Sequence, residues 1–140
     1  MPGVKVVLDT NVVVSAHLKS DGFERFVLDL ALASKLQLFV SVEIPDEYEG
    51  VLRRPKFGID PELVQSSLQL IRTKSRKVKP KRRVSESPDP DDNKFLECAD
   101  TAGADYLVTG NKRHFPASFG NTQVVNAREL IEIITPDLQR

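Results

Sequence analysis

The sequence predicts an α/β domain in which a central parallel sheet is covered by helices on both faces, a three-layer α/β/α sandwich. Short apolar runs that resemble buried strands alternate with segments whose apolar residues recur at helical spacing. Such alternation favours parallel strands joined by helices. The chain has 140 residues, enough for one core but too few for two domains of ordinary size. We therefore expect a single domain over residues 1–140 with a sheet of 4–5 strands.

The first half of the chain supplies two of these strands. Val4 to Leu8 reads as the first strand and Leu36 to Ser41 as the second. Each is followed by apolar residues at helical spacing, and the second helix ends near Arg54-Pro55. The residues that define these two helices are Phe23, Phe26, Val27, Leu30 and Ala31, and then Ile44, Tyr48, Val51 and Leu52.

The second half begins with a helix that Asp60 caps and Pro61 opens. Its expected buried residues are Leu63, Val64, Leu68 and Ile71. We then expect a short strand at 76–79, a helix at 90–102 that Gly103 terminates, and strands at 106–109 and 123–125. Asn126, with Glu129 three residues on, has the spacing of a capping box for the final helix.

Charge and cysteine content limit the class of protein. Lysine plus arginine equal aspartate plus glutamate, so net charge indicates no partner. The charges are segregated, however: 72–83 is mostly basic and 86–105 mostly acidic, which suits a cationic rim beside an anionic pocket. Cys98 has no second cysteine to pair with, and no run of membrane-spanning length or signal peptide is present. We therefore expect a cytoplasmic protein with no membrane contact.

Three carboxylates stand out by position. Asp9 follows the first strand, where open α/β sheets place their active sites. Asp92 projects close to the middle of an apolar helix stripe, and a carboxylate there is costly without a polar partner. The alternative is that Asp91 and Asp92 only complement the positive end of their helix. Glu47 borders the apolar face of its helix, although it also fits an ordinary solvated glutamate.

Together these acids predict a metal-assisted reaction. Carboxylate oxygens suit Mg²⁺ or Mn²⁺, whereas the lone cysteine with His17 and His114 forms no zinc pattern. A carboxylate-bound divalent ion favours hydrolysis of phosphodiester bonds. The basic segment 72–83 then has a role in binding a nucleic-acid backbone, although a solvated basic face explains it equally well.

Four motifs in register resemble the PIN domain family, and most of all its VapC-like members, the toxin components of toxin-antitoxin systems. They are Val-Leu-Asp-Thr-Asn-Val at 7–12, Glu47 before Tyr48, Asp-Pro-Asp-Asp-Asn-Lys-Phe-Leu-Glu at 89–97, and Gly-Ala-Asp-Tyr-Leu-Val-Thr-Gly-Asn-Lys-Arg-His-Phe at 103–115. The resemblance implies a PIN-like sheet flanked by helices and a Mg²⁺- or Mn²⁺-dependent endoribonuclease acting on RNA. It also implies a cognate antitoxin protein and a homodimer.

Carried over position by position, the resemblance assigns catalysis and metal binding to Asp9, Glu47 and Asp92. Asp89 and Asp91 would lie outside the direct ligands. The chain departs from the family pattern at Asn111, where many members have a fourth aspartate after Thr-Gly. An asparagine still offers a carbonyl oxygen to a metal but no negative charge, so we expect weaker binding of one ion.

Neighbouring polar residues have both a functional and a structural interpretation. Thr109 and Asn111 would hydrogen-bond a metal-bound water or position Asp92, and Asn11 and Ser15 would do the same near Asp9. The structural alternative for all four is that polar residues at strand ends commonly cap helices or form turns. His114 would contact phosphate, yet an ordinary surface histidine is the simpler interpretation.

Two other functions are compatible with parts of the sequence. A PIN fold with a weakened metal site at Asn111 would serve as a non-catalytic module that binds nucleic acid or protein. Leu-Asp-Thr-Asn-Val also loosely resembles the nucleophile motif of haloacid dehalogenase phosphatases, with Asp9 as nucleophile. Asn11 replaces the second aspartate of that motif, and 140 residues leave no room for a cap domain.

Overall fold

The computed structural model describes residues 3–138, which form one six-stranded sheet and six α-helices. The strands are β1 (Lys5–Leu8), β2 (Gln37–Val40), β3 (Arg76–Lys77), β4 (Tyr106–Val108), β5 (Ser118–Phe119) and β6 (Thr122–Val125). The helices are α1 (Thr10–Leu18), α2 (Phe23–Leu32), α3 (Glu43–Leu52), α4 (Pro61–Lys74), α5 (Asn93–Ala102) and α6 (Ala127–Leu138). Short 3₁₀ turns lie at Pro55–Phe57, Pro90–Asp92 and Lys112–His114.

The order of strands places β1 at the centre of the molecule. The order is β3-β2-β1-β4-β6-β5, parallel throughout except for the antiparallel pair of β5 and β6. From β1 the chain moves outward through β2 to β3, and then crosses back through α5 to β4 on the other side of β1. Because parallel crossovers are right-handed, this reversal puts α5 on the opposite face from the helices that join β1 to β2. The carboxyl ends of β1 and β4 therefore form the topological switch point.

Helix α5 and strand β1 supply much of the core that supports this point. Helix α5 packs on β1, β2 and β4, and its predicted stripe of Phe95, Leu96, Ala99 and Ala102 is buried. The hydroxyl of the fully buried Tyr48 donates a hydrogen bond to the carbonyl of Leu8, at the last residue of β1. This bond fixes α3 against the end of the strand that leads into Asp9.

The predicted fold class is confirmed, with differences in detail. The sheet has six strands rather than 4–5, because the two-residue strand β5 adds an antiparallel edge. The strand expected at 76–79 covers Arg76–Lys77 only, and Leu63, expected in the core, is 50% exposed. Helix α1 was not predicted, because Val12, Val13 and Val14 are all buried and leave no alternation of apolar and polar residues.

The capping box at the start of α6 is present as predicted. The Asn126 carboxamide oxygen accepts from the Glu129 amide at 2.7 Å, and the Glu129 carboxylate accepts from the Asn126 amide at 2.8 Å. Within residues 3–138, no helix has both the length and the apolar character needed to span a bilayer.

Candidate functional site

Asp9 and Thr109 meet at the switch point of the sheet. The Asp9 amide donates to the carbonyl of Val108 at 2.9 Å, which continues the pairing of β1 and β4 by one residue. The Thr109 hydroxyl, fully buried, donates to Asp9 Oδ2 at 2.7 Å. Asp9 Oδ1 accepts from the Thr10 amide at 2.8 Å and so caps helix α1. The pairing of two strands therefore fixes the main chain of Asp9, and the Thr10 amide and the Thr109 hydroxyl fix its carboxylate.

The environment of Asp9 disfavours its negative charge. The residue is only 5% exposed. The pKa of Asp9 is raised to about 6, and burial is the main cause. The hydrogen bonds from Thr109 and Thr10 lower this pKa, whereas the nearby charges of Asp92 and Glu47 raise it. A bound cation would remove this penalty, because opposite charge favours the ionised form of a carboxyl group.

Glu47 faces the same region from helix α3. Its two oxygens accept hydrogen bonds from the Thr10 hydroxyl and from the ammonium group of Lys94 on α5. Partial burial lowers the pKa of Lys94, but the hydrogen bond and charge of Glu47 outweigh it, so the pKa is raised overall. Lys94 therefore carries the positive charge that balances Glu47. The sequence had not indicated Lys94 as part of the site.

Asp92 lies at the end of the 3₁₀ turn that leads into α5, half-buried beside Asp89 and His114. Burial raises the pKa of Asp92, the charge of Asp89 adds to this effect, and the contact with His114 opposes it. One ligand atom from each of Asp89, Asp92 and His114 lies within 4.8 Å of the others. These three residues form the tightest set of possible metal ligands in the described part of the chain.

Asn111 contacts His114 rather than an acid. Its side-chain nitrogen lies 3.0 Å from His114 Nε2, and His114 Nδ1 lies 3.1 Å from Asp92 Oδ2. The two contacts fit one tautomer, in which the amide of Asn111 donates to Nε2 and Nδ1–H donates to Asp92. The Asn111 backbone amide donates to the Thr109 hydroxyl at 3.0 Å. His114 therefore lines the cleft in contact with Asp92 and Asn111, and its imidazole is 45% exposed.

The other polar residues near the acids are Asn11, Ser15, Asp89 and Asp91. Asn11 is exposed, and its side-chain oxygen accepts from the Gly110 amide at 3.0 Å, which ties the start of α1 to the turn after β4. Asp89 caps its own 3₁₀ turn by accepting from the Asp91 amide at 3.1 Å. Asp91 is exposed in the same turn. Ser15 lines the cleft from α1.

All the predicted acids open onto one cleft of about 550 Å³. Its polar part is lined by Asp9, Thr10, Asn11, Ser15, Glu47, Asp89, Asp91, Asp92, Asn111 and His114. The apolar residues of the lining, which we call the apolar part, are Val14 and Leu18 from α1, Val51 near the end of α3 and Phe57 beyond it, and Arg54 lines the cleft between the last two in the chain. The structure thus brings Asp9, Glu47, Asp92 and Asn111 to one place from four separate segments.

The donor set of this cleft fits a divalent cation. Oxygen donors with several negative charges are what Mg²⁺ and Mn²⁺ prefer, and each carboxylate oxygen can accept more than the one bond it makes to protein. Among the described residues, the ammonium of Lys94 contacts Glu47 and the imidazole of His114 contacts Asp92. Five carboxylates line the cleft together with His114 and Arg54, so acidic side chains outnumber the basic ones in its lining.

The basic segment 72–83 is partly engaged by the protein itself. Arg72 lies 3.2 Å from Asp46 and 3.3 Å from Glu49, and Arg82 lies 3.0 Å from Asp100. Arg83 is 91% exposed and lines a groove that also includes Asp91 and Lys94. The expected cationic rim therefore approaches the acidic cleft at Arg83.

Comparison with known proteins assigns the family. The chain matches the PIN domain family over residues 5–113. It is 30% identical over 118 residues to the uncharacterized protein MJ1680 of Methanocaldococcus jannaschii, covering 78% of this chain and 72% of that protein. The fold is similar to that of a chain in the crystal structure of VapBC2 from Rickettsia felis. In that structure VapBC2 is bound to a DNA fragment from its promoter. The TM-score is 0.55, with 20% identity over 88% of this chain and 98% of that chain. The present chain therefore belongs to the PIN domain family.

Proposed function

We propose that this protein is a metal-dependent endoribonuclease that hydrolyses phosphodiester bonds of RNA. The observation that carries the proposal is the convergence of Asp9, Glu47 and Asp92 on one cleft at the switch point of the sheet. PIN domain proteins are generally nucleases, and an acid-lined cleft is what such chemistry requires. The family match also leaves the dehalogenase-type phosphatase without support.

In this proposal Asp9, Glu47 and Asp92 hold Mg²⁺ or Mn²⁺. Asn111 contributes its side-chain oxygen, which accepts no hydrogen bond from the described residues. Such an ion supplies an activated water and stabilises charge on the phosphoryl group. Thr109 keeps Asp9 oriented, and His114 keeps Asp92 oriented while Asn111 holds the far side of the imidazole.

Lys94 has a separate role in the proposed site. Its ammonium donates a hydrogen bond to one oxygen of Glu47 and so holds that carboxylate in place at the cleft while no cation is bound. Arg83, on the adjoining groove, supplies positive charge for the RNA backbone, because basic side chains provide most of the non-specific affinity for nucleic acid.

We also propose that the protein is a toxin with a protein antitoxin and that it forms a homodimer. The similarity to a chain of VapBC2 supports the first part. Exposed apolar side chains on the helices, including Phe23 and Phe26 on α2 and Ile133 on α6, offer surface for protein contacts. Helices α2 and α6 pack on each other, so these residues belong to neighbouring helices.

The mutational test of the nuclease is cleavage of RNA by Asp9→Asn and Asp92→Asn in Mn²⁺. We expect each substitution to reduce the rate at least about 100-fold, since even residues that only orient metal ligands cost 10- to 100-fold. Asn caps helices as well as Asp does, so Asp9→Asn should keep the fold. Asp29→Asn, which alters an exposed carboxylate on α2, is the matched control. Full activity in both variants would refute the assignment.

A non-catalytic binding module is the second candidate, favoured by one observation. Asn111 brings no charge to the site and is engaged with His114. Titration with Mn²⁺ separates the two candidates: saturable binding at millimolar concentrations supports the nuclease. Failure to bind Mg²⁺ or Mn²⁺ in that range supports the module.

A further inference from the structure

We infer that the apolar part of the cleft is a subsite for one nucleobase of single-stranded RNA, with Phe57 as the stacking surface and Arg54 as the contact to an adjacent phosphate. The inference deepens the proposed function, since it names the substrate feature that the cleft recognises beside the carboxylates. None of the residues involved belongs to the proposed metal site.

The apolar part lies directly beside the acids. Val14 and Leu18 come from the same helix that Asp9 caps, and Val51 comes from the same helix as Glu47. Leu18, which lines this part of the cleft, is 50% exposed, so its apolar surface is accessible to a ligand. A ligand that spans the cleft would therefore place one group at the carboxylates and an apolar group here.

Phe57 has the features of a stacking residue. It is half-buried, packs against the core, and lies in the Pro55–Phe57 turn directly after Arg54. The Lys56 ammonium lies 5.1 Å from the centre of its ring. Aromatic rings with flanking basic residues are how proteins hold single-stranded nucleic acid, because every base offers a π face.

Arg54 is a cation without a partner among residues 3–138. Its neighbour Arg53 pairs with Glu49 at 2.9 Å, whereas Arg54 makes no ion pair or side-chain hydrogen bond to a described residue. It nevertheless lines a cleft that contains five carboxylates. A free guanidinium in that position suits a phosphate group of a ligand.

The combination favours a nucleotide over a peptide as the occupant. Recognition of a peptide by strand addition needs an exposed sheet edge, but helices and turns supply the lining of this cleft. A nucleotide offers an aromatic base for Phe57, a phosphate for Arg54 and a second phosphate for the metal-binding acids. A chain of single-stranded RNA repeats these groups at short intervals.

The test uses a short single-stranded RNA that carries the fluorescent base 2-aminopurine, with Ca²⁺ present. It measures the quenching of 2-aminopurine fluorescence and the affinity of the protein for this RNA. Phe57→Leu keeps apolar volume but removes the ring, so we expect quenching to be lost and affinity to fall about tenfold. Phe57→Tyr should restore both. Phe119→Leu, which makes the same change in a partly buried aromatic residue of β5 that does not line the cleft, is the matched control.

Arg54 is tested by the salt dependence of the same binding. Arg54→Gln should weaken affinity and reduce the slope of log affinity against log salt by about 0.7, the value for one phosphate of a single strand. Arg128→Gln removes an exposed arginine of α6 and should leave the slope unchanged.

The possible outcomes separate this inference from the proposed nuclease. If RNA binds with quenching that depends on Phe57 but is not cleaved in Mn²⁺, the subsite stands and the nuclease fails. If Phe57→Leu and Arg54→Gln bind RNA as the unaltered protein does, the inference is wrong, whether or not cleavage occurs. Absence of RNA binding by the unaltered protein would overturn it as well, and an apolar peptide would then become the better candidate for this part of the cleft.

Discussion

The two sides of the acidic cleft are built in different ways. On one side Asp9 is 5% exposed and is held by a strand-to-strand backbone bond, a helix cap and a buried threonine. On the other side Asp92 and His114 lie in turns, and the imidazole is 45% exposed. The first side depends on the sheet, whereas the second depends on side chains that connect loops.

The connection on the second side runs through Ser87 and Asn93. The Ser87 hydroxyl donates to the carbonyl of His114, and its amide donates to the Asn93 side chain at 2.9 Å. These bonds join the segment before α5 to the turn after β4. Asp9 is therefore positioned by the sheet and the start of α1, whereas the position of Asp92 in the cleft depends on a small set of side-chain hydrogen bonds between loops.

Thr109→Val should have the largest effect on the side of the cleft that contains Asp9. It removes the hydroxyl that donates to Asp9 and accepts from the Asn111 amide, at a position with no exposure to solvent. We expect affinity for Mn²⁺ to fall 10- to 100-fold, the usual cost of losing a residue that orients a metal ligand. Calorimetric titration would measure it.

Thr109→Ser is the matched control, because it keeps the hydroxyl and removes only a methyl group. Affinity in this variant should stay within a few-fold of the unaltered protein. Equal metal affinity in the valine and serine variants would show that the hydroxyl does not orient Asp9.

The pH dependence of stability tests the burial of Asp9. The pKa of Asp9 rises from 3.8 to about 6 on folding, so between these values the folded state holds more protons than the unfolded chain. The free energy of unfolding contributed by Asp9 therefore falls as pH rises through this range. Asp92, whose pKa is also raised, contributes in the same direction.

Thermal denaturation without metal should therefore show a Tm that declines between about pH 4 and about pH 6 more steeply in the unaltered protein than in Asp9→Asn. Stabilisation by added Mn²⁺ should grow over the same range, because protons compete with the metal for Asp9. Parallel pH profiles for the two proteins would contradict the assigned burial of this charge.

Ser87→Ala should have the smallest effect and act on the loop side alone. It leaves the His114 carbonyl and the Asp89 amide without their partner, which costs about 1 kcal/mol of stability. RNA cleavage should drop a few-fold while the pH dependence due to Asp9 persists. Ser85→Ala, an exposed position two residues earlier, is the control. Equal stability of the two variants would argue against this connection.

The sequence predicted more of the fold than of the site. Strands β1, β2, β4 and β6 and helices α2 to α6 have apolar patterns that match their burial, and the cap at Asn126 was evident from spacing alone. Helix α1 escaped prediction because it is buried on most sides. Leu63 was placed in the core because its spacing fits the buried stripe of α4, although its side chain is half exposed.

Within the site, Asp9, Glu47 and Asp92 were indicated by their positions relative to strands and apolar helix faces. Lys94 was not indicated, and His114 was considered only as a contact to phosphate, because their contacts with the acids lie across 47 and 22 positions of the chain. A signal existed for His114, which lies three residues after Asn111 in a turn that follows a strand, but it did not specify a partner. The ion pair of Arg53 with Glu49 fits their i,i+4 spacing, but the sequence did not show that Arg54 would line the cleft.

The sequence by itself determined the class of fold, the strand that delivers Asp9 and the presence of three carboxylates suited to a metal, since these depend on local periodicity and residue chemistry. Only the tertiary structure decided which side chains contact those acids. Crossover direction brought β4 beside β1, so that Thr109 reached Asp9, and packing of α3 and α5 brought Lys94 to Glu47. Contacts of this kind act over a few ångströms between residues far apart in the chain, and periodicity carries no record of them.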